Sequence, residues 1–251
     1  ALGGNSLASN TTANNNTAVG YRSLLANTTG ASNTSVGALS LDANTTGAYN
    51  TANGYGALRG NTTASYNTAV GNTALYSDTL GARNVAVGHE ALASQNFTSA
   101  TDSHNTAVGM SAGRLVTTGI NNTFVGGIAG TANTTGNSNT AIGMNSLAAN
   151  TTAADNTALG VSSLAANTTG ASNTGLGRAA LATNTTGANN IAVGHDALFA
   201  NTTGLHNNAL GKGALQSNTT AANNVAIGYE SLKANTTGTS NNAVGNASLL
   251  A

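Results

Sequence analysis

The alternation of apolar and polar residues in this chain repeats with a 17-residue period. Residues 16–32, NTAVGYRSLLANTTGAS, contain a short apolar run, an Ala/Leu segment and an Asn-Thr-Thr-Gly turn signal. The Gly that closes each apolar run recurs in 17-residue steps from Gly3 to Gly88 and from Gly109 to Gly245, with one 21-residue step between the two series. The chain therefore consists of fifteen copies of one unit with a single four-residue insertion.

Short apolar runs in this unit predict β-strands. Numbered from its Asn, the unit reads N-T-A-V-G-x-x-A-L-x-A-N-T-T-G-A-x, and these positions are used throughout. Runs of two to four apolar residues, bounded by Gly and Asn-Thr-Thr-Gly, leave no room for the roughly twelve residues of a stable helix. We therefore expect an all-β fold: a parallel β-solenoid, or β-roll, of about fifteen 17-residue coils that forms a single domain over residues 1–251.

Position 1 of the unit is Asn in every copy that contains it. Stacked coils would place these side chains about 4.8 Å apart, close enough for each amide to donate to the next. The column comprises Asn16, Asn33, Asn50, Asn67, Asn84, Asn105, Asn122, Asn139, Asn156, Asn173, Asn190, Asn207, Asn224 and Asn241. We expect it to form a structural Asn ladder.

Positions 3 and 4 are both apolar, although neighbouring strand residues point to opposite faces. Position 3 is small and position 4 is branched, except for Phe124 and Asn53 respectively. We expect the Val column of position 4 and the Leu column of position 9 to form the core. The Ala column of position 3 would then be covered by identical chains, which favours a parallel homotrimer. The alternative is a monomer whose Ala column lines a corner.

Charge and composition exclude several classes of partner. Charged residues are 6% of the chain, with 7 basic and 7 acidic side chains and a net charge of zero. This balance provides no electrostatic surface for nucleic acid. No run of about eighteen apolar residues predicts a membrane-spanning helix, so no membrane insertion is expected. The chain begins and ends inside a repeat, which indicates a segment of a longer protein.

The repeats resemble a known family. NTAVGYRSLLANTTG, NTANGYGALRGNTTA and NVAIGYESLKANTTG are similar to the head repeats of YadA-like trimeric autotransporter adhesins and to related repeats of bacteriophage tail fibres. The resemblance covers essentially the whole chain. It implies a left-handed parallel β-roll, three chains side by side, and display outside a cell or on a virion for attachment. The chain departs from the family's pattern in two ways. Its unit is longer, since the family's unit is nearer fourteen residues, and it lacks a stalk, anchor barrel or chaperone domain.

Residues suited to catalysis or metal binding are sparse. His89 and His195 share position 6 but lie six coils apart, beyond the reach of one metal ion. Asp196 and Glu230 share position 7 two coils apart, with Lys212 on the coil between, which favours a surface charge ladder over an acid–base pair. No carboxylate accompanies the turn Asn, which argues against calcium. We expect no catalytic residues, no metal, no cofactor and no enzymatic activity.

Asn-Thr-Thr occurs eleven times at positions 12–14. Each triplet is formally a glycosylation sequon, and its simpler role is a turn whose Asn side chain bonds back to the main chain. A third interpretation is an ice-binding Thr array. Adjacent Thr residues point to different faces and a regular Thr-x-Thr pattern is missing, which disfavours that interpretation.

Residues 78–130 depart from the pattern. Asp78 replaces the turn Asn, the insertion follows at residues 94–104, and Leu is lost from position 9 at Gly113 and Gly130. A tolerated loop is the simplest explanation. The functional alternative is a protruding ligand patch made of Phe97, Asp102 and His104.

Together these observations predict a non-enzymatic, extracellular fibrous protein on a cell or virion surface. Its partners would be further copies of itself and an unidentified receptor or glycan on a host surface. A bacteriophage tail-fibre segment is the first alternative, and an outer-membrane barrel or a C-terminal chaperone in the full gene would distinguish the two. An ice-binding β-solenoid and a polysaccharide-cleaving fibre are the others.

Overall fold

A computed structural model describes residues 1–249 and contains strands and turns but no helix over that range. Each regular coil contributes one three-residue strand at positions 2–4. The chain makes about 13 turns of 17 residues, which confirms the prediction of an all-β parallel β-solenoid. It divides into two compact units, Ala1–Asn122 and Thr123–Ala251.

The first unit holds a six-stranded and a two-stranded parallel sheet. Its strands are β1 (Thr17–Val19), β2 (Thr34–Val36), β3 (Thr51–Asn53), β4 (Thr68–Val70), β5 (Gly81–Ala82), β6 (Val85–Val87), β7 (Thr101–Asp102) and β8 (Thr106–Val108). β1, β2, β3, β4, β6 and β8 pair in that order, and β5 pairs with β7. In the larger sheet, paired residues occupy the same position of consecutive coils, and this register is kept across the insertion, where Val85 pairs with Thr106.

The second unit repeats the regular coil without interruption. Its strands are β9 (Thr123–Val125), β10 (Thr140–Ile142), β11 (Thr157–Leu159), β12 (Thr174–Leu176), β13 (Ile191–Val193), β14 (Asn208–Leu210), β15 (Val225–Ile227) and β16 (Asn242–Val244). Each strand pairs in parallel with the next in chain order, always between residues at the same position of their coils.

Main-chain hydrogen bonds between coils extend beyond the strands. The N–H of Arg22 donates to Gly4 O of the preceding coil at 2.9 Å, and the N–H of Leu24 donates to Ser40 O of the following coil at 3.0 Å. Both residues adopt positive φ, 55° and 54°, which costs energy for residues other than Gly. We infer that the bonds to both neighbouring coils offset this strain.

The strand residues point the opposite way from the prediction. Ala18 and Leu24 are completely buried and form the core of their coil, whereas Val19 is half-exposed. The assignment of the Val column to the core and of the Ala column to the outer face is therefore wrong. A 17-residue coil has a narrow interior, and the Leu of position 9 fills it so completely that only a methyl group fits beside it.

In one coil of the second unit the large core residue lies at position 3 and the small one at position 9, the reverse of the regular coil. Phe124 occupies position 3, where other coils have a small residue, and Gly130 occupies position 9, where every other coil except that of Gly113 has Leu. Phe124 is completely buried, and a Cβ on Gly130 would collide with its ring. The Phe–Gly pair thus fills the space that Ala and Leu fill elsewhere.

Candidate functional site

The Asn side chains at positions 1 and 12 form hydrogen-bonded columns that are buried in most coils. At position 1, Asn50 Oδ1 accepts the N–H of Asn67 in the next coil at 2.9 Å, and Asn50 Nδ2 donates to Ala64 O of its own coil at 2.9 Å. Bonds between side chains occur at some rungs, such as Asn207 Nδ2 to Asn190 Oδ1 at 3.2 Å. This column ties each coil to the next mainly through side-chain-to-main-chain bonds.

A second Asn column lies at position 12, where the sequence indicated only a turn. Asn44 Nδ2 donates to Asn27 Oδ1 of the preceding coil at 2.9 Å and to Gly47 O of its own turn at 3.0 Å. The same pattern recurs at Asn184, whose Nδ2 lies 2.8 Å from Asn167 Oδ1. These amides are buried and use both N–H donors, so a glycan on them would break the column.

The position-12 column changes chemistry around the insertion. Asp78 and Gln95 replace Asn in successive coils, and the following coil has Val116. Gln95 Nε2 donates to Asp78 Oδ2 at 2.7 Å, and Gln95 Oε1 accepts Asn105 Nδ2 at 2.8 Å. Because Val116 offers no polar partner, the longer Gln side chain joins the position-12 column to the position-1 column instead.

The proposed ligand patch is only partly at the surface. Phe97 does not protrude: it is 6% exposed, and its ring lies against Gly81. A short insertion in a narrow coil has little core of its own, so its one large apolar side chain packs inward. Asp102 and His104 are exposed, and His104 Nδ1 lies 3.1 Å from Asp102 O. The patch therefore offers polar groups rather than an aromatic ring from the insertion.

A groove of about 370 Å³ lies beside β5 and β7 in the first unit. Thr63, Ser65 and Thr101 supply hydroxyl groups to it, Asp102 supplies a carboxylate, and Leu80 contributes an apolar wall. The pairing of β5 with β7, which only the insertion makes possible, positions one side of this groove. The arrangement suits a polar ligand rich in hydroxyl or amide groups.

Aromatic and cationic side chains stack next to the groove at position 17. The rings of Tyr49 and Tyr66 lie 5.2 Å apart and nearly parallel, and the Arg83 guanidinium lies 5.0 Å from the Tyr66 ring. Arg83 Nε is 3.1 Å from Asp102 Oδ2. Because Asp102 lines the groove, this ion pair places the stacked side chains at the edge of the groove. The 17-residue spacing of these three residues is the signal in the sequence that could have predicted the stack.

A second polar cluster in the first unit surrounds Asp42. Its nearly buried carboxylate lies 3.1 Å from Arg22 Nε and 3.9 Å from Arg59 Nε. Arg59 also hydrogen-bonds to the Tyr76 hydroxyl and lies over its ring. The hydrogen bond to Asp42 raises the pKa of Arg22, so the guanidinium stays charged. One carboxylate against two guanidinium groups leaves this cluster with an excess positive charge.

The charged residues of the second unit do not form the expected ladder of alternating charges. Arg178 Nη1 lies 2.8 Å from His195 Nε2, and His195 Nδ1 lies 2.9 Å from Asp196 Oδ2. Glu230 pairs with Lys233 on its own coil at 2.7 Å, and this bond lowers the pKa of Glu230. Asp196 and Glu230 thus lie against His195 and Lys233 of their own coils, and neither forms an ion pair with Lys212 within residues 1–249. Within residues 1–249, no three His, Cys, Asp or Glu side chains cluster so that they could hold a metal ion.

An uncharged surface is formed by the outer face of the strands, here called the strand face and defined by positions 2 and 4. Position 4 of the second unit is aliphatic in every coil, and Leu159 and Leu210 are 47% and 48% exposed. No position 2 or position 4 in the fourteen three-residue strands carries a charge.

No helix in the described part of the chain is long and apolar enough to cross a membrane. Comparison with known proteins gives no match to any family model or to any curated protein sequence.

Proposed function

We propose that the chain is a segment of a non-enzymatic, extracellular attachment fibre in which three copies, each of fifteen coils, associate in parallel. The observation that carries this proposal is the strand face, with its aliphatic column at position 4. Soluble monomers rarely expose a continuous apolar patch of more than a few hundred Å². A column that extends through all eight strands of the second unit therefore favours a partner that covers it.

A second copy of the chain is the partner that fits this face. The strand face repeats at the spacing of parallel strands, about 4.8 Å, and has no charge to recognise an ionic ligand. A partner with the same 17-residue period can match every coil at once, and identical chains in the same register provide that match. Three copies is the number that the resemblance to YadA-like head repeats implies. The Ala column cannot serve as the interface because it lies inside the coil.

Attachment would use groups away from the strand face. The groove beside β5 and β7 lies at positions 14–16 of its coils and in the insertion, and it presents hydroxyl groups and the Asp102 carboxylate. Such groups hydrogen-bond well to sugars, which makes a host-surface glycan the class of ligand we favour. The regular coils then serve to project this groove on a stiff support.

Substitution of the strand face tests the assembly. The double substitution Leu159→Lys with Leu210→Lys places two charges on the aliphatic column, and we expect it to convert the assembly into single chains. Thr169→Lys is the matched control, because it adds a charge at exposed position 14, away from the strand face. If neither variant changes the native mass in sedimentation, the strand face is not the interface.

Substitution of the groove tests attachment separately. We expect Asp102→Ala to reduce binding to a panel of immobilised glycans by at least tenfold, whereas Asp155→Ala, an exposed carboxylate in the second unit, leaves binding unchanged. Equal binding by both variants would remove the groove from the proposal.

Ice binding is the second candidate. On regular strands such as β10 and β11, the side chains of Thr140 and Thr157 lie on the same face as the branched side chains of Ile142 and Leu159. This face could order water only if no other chain covered it. Thermal hysteresis by a monomeric protein would support this candidate and contradict the trimer, whereas a trimer without hysteresis excludes it.

A further inference from the structure

One buried acceptor in the first unit lacks its hydrogen bond. Where one Asn follows another in the position-12 column, the Oδ1 of the first accepts an N–H from the side chain of the second, as Asn44 Oδ1 does from Asn61 Nδ2 at 2.7 Å. The residue that follows Asn61 in this column is Asp78, whose carboxyl group has no N–H. Asn61 Oδ1 is buried and has no partner among the described residues. A buried acceptor without a hydrogen bond destabilises the folded chain, so a donor is expected between Asn61 and Asp78.

Asp78 is a buried carboxyl group without a counter-charge. It is completely inaccessible to solvent, and it takes part in none of the ion pairs found within residues 1–249. Its Oδ1 accepts the N–H of Gly81 at 3.0 Å, and its Oδ2 accepts Gln95 Nε2 at 2.7 Å. Burial raises the pKa of Asp78 above its usual value, and hydrogen bonds from Gln95, Gly81, Phe97 and Leu80 act in the opposite direction.

The ionisable groups on the three coils around Asp78 are engaged elsewhere at the surface. Arg59 lies beside Asp42 and Tyr76, Arg83 pairs with Asp102, and Glu90 lies near His89 and Arg114. His104 and Tyr66 are exposed, as is Tyr55 at position 6. None of these groups is among those that act on the pKa of Asp78.

We propose that Asp78 is protonated in the folded chain and that its O–H donates to Asn61 Oδ1. This proton supplies the hydrogen bond that is missing between these two coils of the position-12 column. The other rungs of this column have N–O distances of 2.7–3.1 Å, which is the separation of a hydrogen bond. A metal ion would need several more oxygen ligands at this point than Asn61 and Asp78 provide. A neutral carboxyl group satisfies Asn61 and still accepts the bonds from Gly81 and Gln95.

The proton makes this part of the first unit sensitive to pH. An unfolded Asp has a pKa of about 3.9, and the folded group has a higher one. The stabilisation is therefore fully present below the unfolded pKa and is lost as the pH rises through the folded pKa. Asp78 Oδ1 holds the N–H of Gly81 at the start of β5, which pairs with β7 along the groove. Deprotonation removes the donor to Asn61 and leaves a buried carboxylate facing an unpaired oxygen, so we expect the contact between these two coils, next to β5 and the groove, to open before distant coils are affected.

Infrared difference spectroscopy tests the proton directly. The chain has only 7 acidic side chains, so the C=O stretch of a neutral carboxylic acid at pH 7 is a clean signal. We expect this band in the wild-type protein and its loss in Asp78→Asn, with no loss in the control Asp155→Asn. Absence of the band from the wild-type spectrum at pH 7 would overturn the proposal.

Stability measurements test the consequence. Asp78→Asn restores an amide that can donate to Asn61 and accept from Gln95, so the variant should fold. We expect its Tm to exceed that of the wild type by several degrees at pH 8, and the difference to shrink towards pH 4. A difference that does not change with pH contradicts the proposal. So does a wild-type Tm at pH 8 that rises on addition of Na⁺, K⁺ or Ca²⁺ while that of Asp78→Asn does not, since a cation would then occupy the rung.

Discussion

Gly126 lies so close to Gly143 of the next coil that a Cβ on Gly126 would be 2.6 Å from the Gly143 carbonyl carbon. Gly126 also has a φ of +134°, a conformation that residues with a side chain rarely adopt. The neighbouring Gly127 has nothing within 4 Å of the equivalent point. Position 5 of the unit is thus Gly because the coils stack too closely there for any side chain.

Gly126→Ala and Gly127→Ala should accordingly differ sharply in stability. We expect Gly126→Ala to lower the free energy of unfolding by at least about 2 kcal/mol, from backbone strain and the clash between coils. Gly127→Ala should change it by no more than about 0.5 kcal/mol. Urea unfolding monitored by circular dichroism measures both, and equal effects would contradict the close stacking.

Because Phe124 and Gly130 share one space in the core, we expect the effects of substituting them on the free energy of unfolding to be strongly coupled. Phe124→Ala alone should cost about 3–5 kcal/mol by leaving a cavity. Gly130→Leu alone should also destabilise, because the ring occupies the space that the new side chain needs. The double variant recreates the Ala–Leu pair of regular coils, and Leu has a φ near that of Gly130 at this position, for example 50° at Leu147 against 55°. We expect the double variant to recover most of the loss, and additive effects in this double-mutant cycle would show that the two residues do not share one space.

Asn184 provides a test of the position-12 column. Its side chain donates to Asn167 Oδ1 and to Gly187 O, and it accepts Asn201 Nδ2, each at 2.8 Å. Asn184→Ala leaves a buried acceptor on Asn167, so we expect a loss of at least about 2 kcal/mol. Asn208→Thr is the control, since Asn208 is exposed and Thr is the usual residue at position 2. A loss in the Asn208 variant as large as that in the Asn184 variant would refute a special role for the column.

Cysteine cross-linking tests how copies of the chain meet. The chain contains no Cys, so Leu159→Cys introduces a single thiol at the strand face. If identical chains associate in parallel and in register, this thiol lies near its own equivalents, and mild oxidation should link chains in high yield. Thr169→Cys, at exposed position 14, should give little product. Equal yields from the two variants on non-reducing gels would argue against an interface at the strand face.

Periodicity was sufficient to predict the parallel solenoid, the 17-residue coil and the strand positions, because a strict repeat forces every coil into the same backbone path. It could not decide which apolar column faces inward, since Ala18 and Val19 both satisfy an alternating pattern and only the width of the interior distinguishes them. The sequence contained the position-12 column, but its Asn-Thr-Thr setting favoured a local turn over a contact with the next coil. The burial of Phe97 and the bridge made by Gln95 depend on how the insertion folds over its neighbours, and spacing alone does not carry that information.

The native mass of the purified protein tests the central claim most directly. Sedimentation equilibrium or native mass spectrometry should give three times the 24.3 kDa mass of one chain, because three strand faces cover one another in the proposed assembly. A stable monomer of 24.3 kDa at micromolar concentration would contradict the account.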